Sequence, residues 1–459
     1  MSKVLFDQFQ HVSAKEWKQR IQVELKGADF NEKLVTKTWE GIDIKPFYHR
    51  DETQVVSHSI PTHSWLVSER IFFTDASTTF GIIQDDCARG AEHIWLVVTK
   101  TNTRVLPMLQ QENFPQVPVF VEFQSLDFQV IQEVLKFAEV ASFSIEVGVD
   151  VLGKLASTGN WFTNKEKDFK ALGELFSTEK KSPSILVDAR AYQEAGGTQV
   201  QQIAYALAHL NEYLEQLPQA TSHLRIKVLA SIGSNYFFEI AKLKALRWTI
   251  QSLLEGLHIK ATLQITGIPS QRNKTLYDYN VNMLRTSTEI MSGVLGGADQ
   301  VANLAYDHLY HDSNEFGKRI ARNQLLLLKK EAHLDKVNNA TDGAYYIESL
   351  IEQMASQSFS LFQQIEAGGG FIQQLFDGKI QEKLKHAAQK EAALTHEGSR
   401  VLVGTNKYTN PEDKMLANLQ KDPFRPFEKR KTLVQPILAK RLAERIEKER
   451  LQQEKVELR

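Results

Sequence analysis

Short apolar runs alternate with amphipathic stretches along most of the chain, and this alternation predicts the fold. Ile94 to Val98, Val117 to Val121, Phe143 to Val149, Ser184 to Asp188, Arg225 to Ala230 and Lys260 to Thr266 are rich in β-branched residues, as strands buried on both faces are. Between several of them the period changes. Val200 to Leu217 sets Ile203, Leu207, Leu210 and Leu214 on one face, and Tyr236 to Leu257 does the same with Ile240, Leu243, Leu246 and Leu253. That is the spacing of helices packed on one side. Strands interleaved with helices make a parallel sheet through crossovers. Repetition over this length predicts a closed (β/α)8 TIM-type barrel rather than an open doubly wound sheet. The Gly-rich dinucleotide fingerprint of the open sheet is absent from the sequence.

The flanks read differently, dividing the chain into an arm (1–50), the barrel (51–400) and a C-terminal extension (401–459). In the arm, Ser13 to Lys26 has the pattern of a short amphipathic helix, with Ser13 as N-cap, Trp17, Ile21 and Leu25 on one stripe and Gly27 as its stop. Leu34 to Tyr48 reads as extended, punctuated by Gly41 and Pro46. Trp17, Trp39, Phe47 and Tyr48 need burial somewhere, either on this chain's own barrel or against a partner; spacing does not separate the two. After residue 400, Pro411, Pro423, Pro426 and Pro436 break up the chain. Ile437 to Arg459 follows as a charged helical pattern in which Leu442, Ile446 and Leu451 are too sparse for a strong coiled coil; it reads as a solvated helix with a fraying end, the alternative being a helix docked on a partner or along the barrel.

Composition narrows the function classes. With 42% apolar and 24% charged residues among 459, the chain can bury a large core. A net charge of -1 gives no field directed at nucleic acid. Cys87 is the sole cysteine, which excludes an intrachain disulfide and a cysteine-based zinc site. No apolar run approaches the roughly 20 residues of a membrane span, and an acid at Asp7 argues against a signal peptide; a cytoplasmic location is expected. His308 and His311 form an i, i+3 pair without an evident third metal ligand, so two exposed histidines are expected. Gly368-Gly369-Gly370 lacks the Lys-Ser/Thr of a phosphate loop and is expected to end a helix. Glu92 and Glu122 fall near strand ends, where a carboxylate pair is conceivable.

Several blocks share the order and spacing of a known family. They are Asn235 to Ala245; Asn280 to Asp307, with Arg285-Thr286 and Gly296-Gly297; Ile320-Ala321-Arg322-Asn323-Gln324 through Glu331, then Gly343 to Glu348; and Val403-Gly404-Thr405-Asn406-Lys407-Tyr408. Together they resemble the barrel of the cobalamin-dependent methylmalonyl-CoA mutase family. Trp17, Leu25-Lys26-Gly27, Glu40 to Tyr48 and Asp150-Val151-Leu152-Gly153 resemble the smaller chain of its two-chain enzymes. Each block also has a structural reading. Phe237, Ile240 and Leu243 suit a core, Glu239 and Lys242 a solvated helix face, Gly296-Gly297 a bend, and Arg322 and Asn323 a tie to the barrel rim.

The same comparison implies that the chemistry lies elsewhere. Catalytic chains of the family run tyrosine, histidine, methionine, glutamine, glutamate, alanine, glycine where this chain has Arg190-Ala191-Tyr192-Gln193-Glu194-Ala195-Gly196. Ala191 thus replaces a catalytic histidine. Asp299 and Ala302 replace a glutamine and a second histidine, and the family's Arg-Gly and tyrosine loop is not visible between His58 and Phe73. Arg225 and Arg285 match family arginines. About 50 residues follow Tyr408, fewer than the roughly 100 of a five-stranded cobalamin domain, and no Asp-x-His-x-x-Gly loop is present. The resemblance therefore implies no catalytic, cofactor-binding or metal residue here, with adenosylcobalamin held by a homologous, larger catalytic subunit in a heterodimer. Two alternatives accompany it: a barrel that borrows a cobalamin domain from another chain, and a stand-alone acyl-CoA-binding barrel. Whether a CoA channel threads the barrel is left to the interior side chains.

Overall fold

The computed structural model describes residues 8–52, 64–99, 104–178, 183–217, 224–424 and 430–457. A two-stranded antiparallel hairpin, β1 (Thr36–Lys37) and β2 (Asp43–Ile44), precedes the barrel. Eight parallel strands then close on themselves: β3 (Leu66–Phe72), β4 (His93–Val98), β5 (Val119–Phe123), β6 (Ile145–Val149), β7 (Ser184–Asp188), β8 (Leu224–Ile232), β9 (Ala261–Pro269) and β10 (Gln300–Ala302), which returns to pair with β3. Helices connect most of the strands, so the expected (β/α)8 barrel is the architecture found. Two strands were not legible: β3, whose centre is charged (Glu69, Arg70), and β10, only three residues long.

Alternation along the strands splits the core in two. Ile94, Leu96, Val119, Val121, Ile185, Val187, Ile226 and Val228 pack outward against the helices. Trp95, Val97, Phe120, Leu186, Leu229, Ile268 and Ala302 pack on one another in a separate cluster inside the barrel. Strands apolar on both faces yield those unbroken runs. Gly148 on β6 makes room for this filling: a Cβ there would lie 3.0 Å from the Phe120 ring and 3.2 Å from Leu186. The rest of the interior is polar but bonded. Lys227 Nζ lies 2.7 Å from both Glu146 Oε2 and Gln264 Oε1. His93 meets the Ser68 hydroxyl at 2.8 Å, and burial together with the Lys227 charge holds its imidazole well below the usual histidine range.

The helix Gln199–Gln216 is buried on nearly every side, not one, because Tyr345–Ala367 and Gly370–Phe376 cover its outer face. Gly368 ends the former helix and Gly369, at φ +98°, starts the latter.

Ser13 caps the arm helix Ala14–Glu24 through a reciprocal capping box with Glu16. Beyond it the arm splits. Ile42 is fully buried in the main core, and Phe30 is buried beneath Lys18 of the arm helix. Trp39 faces Arg400 of this chain, and Tyr48 packs on Tyr346 at 5.3 Å between ring centroids. Trp17 rests on Phe47 at the surface, while Phe9, Val12 and Val23 are exposed.

The C-terminal extension departs from expectation. Residues 430–442 form neither helix nor strand, and the helix begins only at Glu444 (Glu444–Glu457). This strap crosses the end of the barrel at which the strands finish. Leu433 and Val434 donate backbone N–H bonds to Gly159 O, Ile437 to Ala156 O, Lys440 to Glu194 O and Leu442 to Arg272 O. Gly159 permits the approach: at φ +79° it has no side chain, and a Cβ would sit 2.5 Å from Val434 O. Nor is the helix solvated all round, because one face of it, with Glu447, Leu451 and Glu454, is buried. Glu447 accepts the Leu276 N–H at 2.8 Å, and Glu454 accepts the Tyr277 hydroxyl at 2.5 Å and the Leu416 N–H at 2.9 Å. Carboxylates that serve buried N–H groups look, in sequence, like surface charge. Glu454→Ala is expected to cost about 2 kcal/mol, the price of leaving these buried donors unpaired, and to expose the last helix to limited proteolysis while the barrel stays intact.

Candidate functional site

Ligands of such barrels bind where the strands end. That end holds a cavity of about 570 Å3 lined by Arg70, Gln124, Asp188, Arg190, Ala191, Glu194, Ser231 and Gln271, with strap residues Pro436 to Ala439 on its outer side. Ala191 belongs to the single-turn helix Arg190–Glu194 that follows β7. The position singled out by the sequence thus stands on the cavity wall, carrying a methyl group.

Arg190, Asp188, Glu122 and Glu194 around it are bonded. Arg190 grips Asp188 through two bonds of 2.7 Å and reaches Glu122 Oε1 at 3.2 Å. The other oxygen of Glu122 accepts the Trp95 indole N–H at 2.7 Å. Both Arg70 and Arg190 stack on the Trp95 ring, at 4.7 and 4.9 Å from its centroid. Burial alone would loosen the proton of Arg190, but Asp188 and Glu122 outweigh it and fix the guanidinium in its charged form. Glu194 accepts the Ser231 hydroxyl at 2.8 Å and the Gln271 N–H at 3.1 Å. Each of these carboxylates beside Ala191 accepts bonds from donors of the surrounding wall.

Behind the wall lies a buried network. His209 bonds the Tyr192 hydroxyl at 3.0 Å through Nδ1 and Asp150 Oδ1 at 2.9 Å through Nε2. Asp150 also accepts Tyr213 OH at 2.7 Å, Gly153 N–H at 2.7 Å and Asp188 N–H at 2.8 Å. Burial opposes its charge, yet His209 and these donors hold its carboxyl below the ordinary aspartate range. The Asp150 to Gly153 element is therefore a cap on the helix Val151–Thr158 and a tie between β6 and β7.

The remaining candidates scatter. Arg285 donates to Thr275, Asn282 and Val403 O, fastening the 401–408 loop. Arg225 opens β8, at the opposite end of the barrel from the cavity. Asp299 pairs with Arg247 at 2.7 Å, and Ala302 sits in the barrel interior. Arg322 ties β3 to the helix Ala76–Ala88 through Glu69 and Asp86. Glu239 and Lys242, expected in solvent, form a buried pair at 2.5 Å, whereas Phe237, expected in the core, is half exposed. Glu92 bonds Lys329 and the start of β3, far from Glu122, so the two make no catalytic pair. His308 spends Nδ1 on Ala305 O and His311 faces Asp307; both are partly covered rather than exposed. Burial takes His308 down to about 3. Among the described residues no cluster of three or more His, Cys, Asp or Glu could hold a metal ion, and no helix is long and apolar enough to cross a membrane. Of the segment expected to lack the Arg-Gly and tyrosine loop, residues 58–63 lie outside the described residues, and Leu66–Phe72 is β3.

A family model described as methylmalonyl-CoA mutase matches residues 129–455. A methylmalonyl-CoA mutase small subunit of Porphyromonas gingivalis is 29% identical over 446 residues, covering 88% of this chain and 71% of that protein. A small subunit from Streptomyces virginiae is 28% identical over 396 residues, covering 79% and 63%. The large subunit from the same organism is 27% identical over 286 residues, 60% of this chain and 39% of that one. The chain thus spans between 39% and 71% of the length of these relatives.

Proposed function

The chain belongs to the methylmalonyl-CoA mutase family, and from that premise we propose that it is the small, non-catalytic subunit of a heterodimeric mutase. Its partner would be a homologous larger chain that binds adenosylcobalamin and interconverts methylmalonyl-CoA and succinyl-CoA. The observation that carries this reading is Ala191. It stands on the wall of the mouth cavity, at the place of the family's catalytic histidine, among carboxylates and an arginine bonded to one another.

Two further features support it. The barrel interior, through which an extended CoA arm would have to pass, is filled by Trp95, Phe120, Leu186 and Leu229, none more than 2% exposed. The cavity lining contains no histidine that could ligate cobalt. The nearby His209 has both ring nitrogens engaged. A role in assembly and stability of the catalytic chain remains for the barrel surface and the arm. Relatives named as small and large subunits, the latter also similar to this chain, agree with pairing between homologous barrels.

The purified chain is expected to show no mutase turnover with adenosylcobalamin and no saturable change in the cobalamin absorption spectrum. Ala191→His should leave both results unchanged, since the Arg190 network and the packed interior persist. Tight cobalamin binding or turnover by the chain alone would overturn the reading. Co-expression with a large-subunit homologue should yield a one-to-one complex.

A further inference from the structure

The junction between arm and barrel holds one more acceptor than its donors can serve. Glu40, in the turn between β1 and β2, is 8% exposed, and its Oε2 accepts the Gln199 backbone N–H at 2.7 Å. It lines a cavity of about 280 Å3 with Gln199, Glu239, Arg272, Glu391 and Arg400. The other charges on these walls are matched. Glu239 pairs with Lys242 at 2.5 Å, and Glu391 takes both Arg272 at 2.6 Å and Arg400 at 2.9 Å. Among the described residues Glu40 has no ion pair; Arg400 attracts it, while Glu239 and Glu391 repel it.

The adjacent side chain has the complementary shortage. Gln199, 6% exposed, donates Nε2 to Glu239 Oε1 at 3.2 Å, while its Oε1 accepts no hydrogen bond among the described residues. A buried carboxylate without a cation, beside a buried carbonyl without a donor, calls for one added proton. A neutral carboxylic acid removes the unpaired charge: one oxygen still accepts the Gln199 N–H, and its hydroxyl becomes a donor in a wall that has an unserved acceptor.

We propose that Glu40 docks as the neutral acid, which makes the contact of Trp39–Ile44 with the barrel a proton-dependent latch, tight in mild acid and loosened in mild base. Burial, reinforced by Glu239 and Glu391, pushes the Glu40 carboxyl up to about 8, against the opposing pull of the Gln199 N–H and Arg400. The sign follows from linkage. A carboxyl of ordinary value 4.5 when released favours docking fully below that pH and loses this contribution as the pH rises towards its docked value.

Hydrogen exchange of residues 38–44 in the intact chain, corrected for the intrinsic rate and followed from pH 5 to 9, tests the latch. Opening should increase up to about tenfold per pH unit and level off near pH 8. Glu40→Gln, always neutral and carrying its own donor, should stay protected throughout with no pH dependence, its far-UV circular dichroism matching the wild type. A wild-type profile without pH dependence, or the same slope in Glu40→Gln, overturns the proposal. So does protection at pH 8.5 that potassium or ammonium chloride restores and tetramethylammonium chloride at equal ionic strength does not, because a bound cation would then fill the place of the proton.

Discussion

Asp150→Ala is expected to lower stability by about 3–5 kcal/mol, measured by urea unfolding. One carboxylate there serves four donors: His209 Nε2, Tyr213 OH, and the backbone N–H groups of Gly153 and Asp188. Losing a helix cap alone costs about 1 kcal/mol, and each buried donor left unpaired adds about 1–3 kcal/mol. Partial relaxation and water entry keep the total below the sum. The pH dependence identifies the cause. The folded carboxyl is held below its ordinary value of 3.8, so its contribution is present above that value and is lost as pH falls through the folded one. The gap between wild type and Asp150→Ala should therefore narrow below about pH 4. A gap under 1 kcal/mol, or one indifferent to acid, would refute the account. The consequence is local as well as global. Asp150 orients His209, His209 holds Tyr192, and Tyr192 follows Ala191, so the wall of the mouth cavity should lose its order first.

The barrel was legible because its strands are apolar on both faces and announce themselves as continuous runs. β3 and β10 escaped for opposite reasons. In β3, Glu69 faces Arg322 on the outside and Arg70 meets Trp95, so charge interrupts the run. β10 needs only three residues to close the ring between β9 and β3. At the site, Ala191 was placed by register against a motif, and it does line the cavity. Its surroundings could not be read, because Glu122 and Trp95 reach Arg190 from other strands of the barrel. The strap hid for a related reason. Ile437, Leu438 and Leu442 look like one side of a helix, but the backbone of 433–442 is bonded to Gly159, Ala156, Glu194 and Arg272, carbonyls more than 150 residues away. Buried carboxylates at 40, 239, 447 and 454 were indistinguishable from surface charge until their partners were in place.

Deleting residues 1–27 is expected to abolish copurification with a large-subunit homologue while leaving the barrel folded. The two parts of the arm differ in what they bury on this chain. Phe9 and Val23 are each 73% exposed and Val12 56%, with Trp17 half covered by Phe47. Val12, just before the capped helix, and Val23, on it, bury little of their apolar surface on the isolated chain. Covered by a partner, each could contribute up to about 1.5–3 kcal/mol, offset by side-chain ordering. Losing them should weaken pairing at least about 100-fold, or about 2.7 kcal/mol. Deleting residues 1–48 should act differently, because it also removes the buried Ile42 and Phe30 and takes Glu40 from its cluster. That truncation should lower the stability of the isolated chain by about 3 kcal/mol or more, the scale of large core deletions. Trp39→Ala and Tyr48→Ala, whose rings rest on Arg400 and Tyr346 of the same chain, should follow the stability effect and leave pairing unchanged. Isothermal titration for affinity and urea unfolding of the isolated chain separate the two. If the chain lacking residues 1–27 binds the large subunit as tightly as the intact one, the arm helix is not the contact and the pairing surface lies on the barrel.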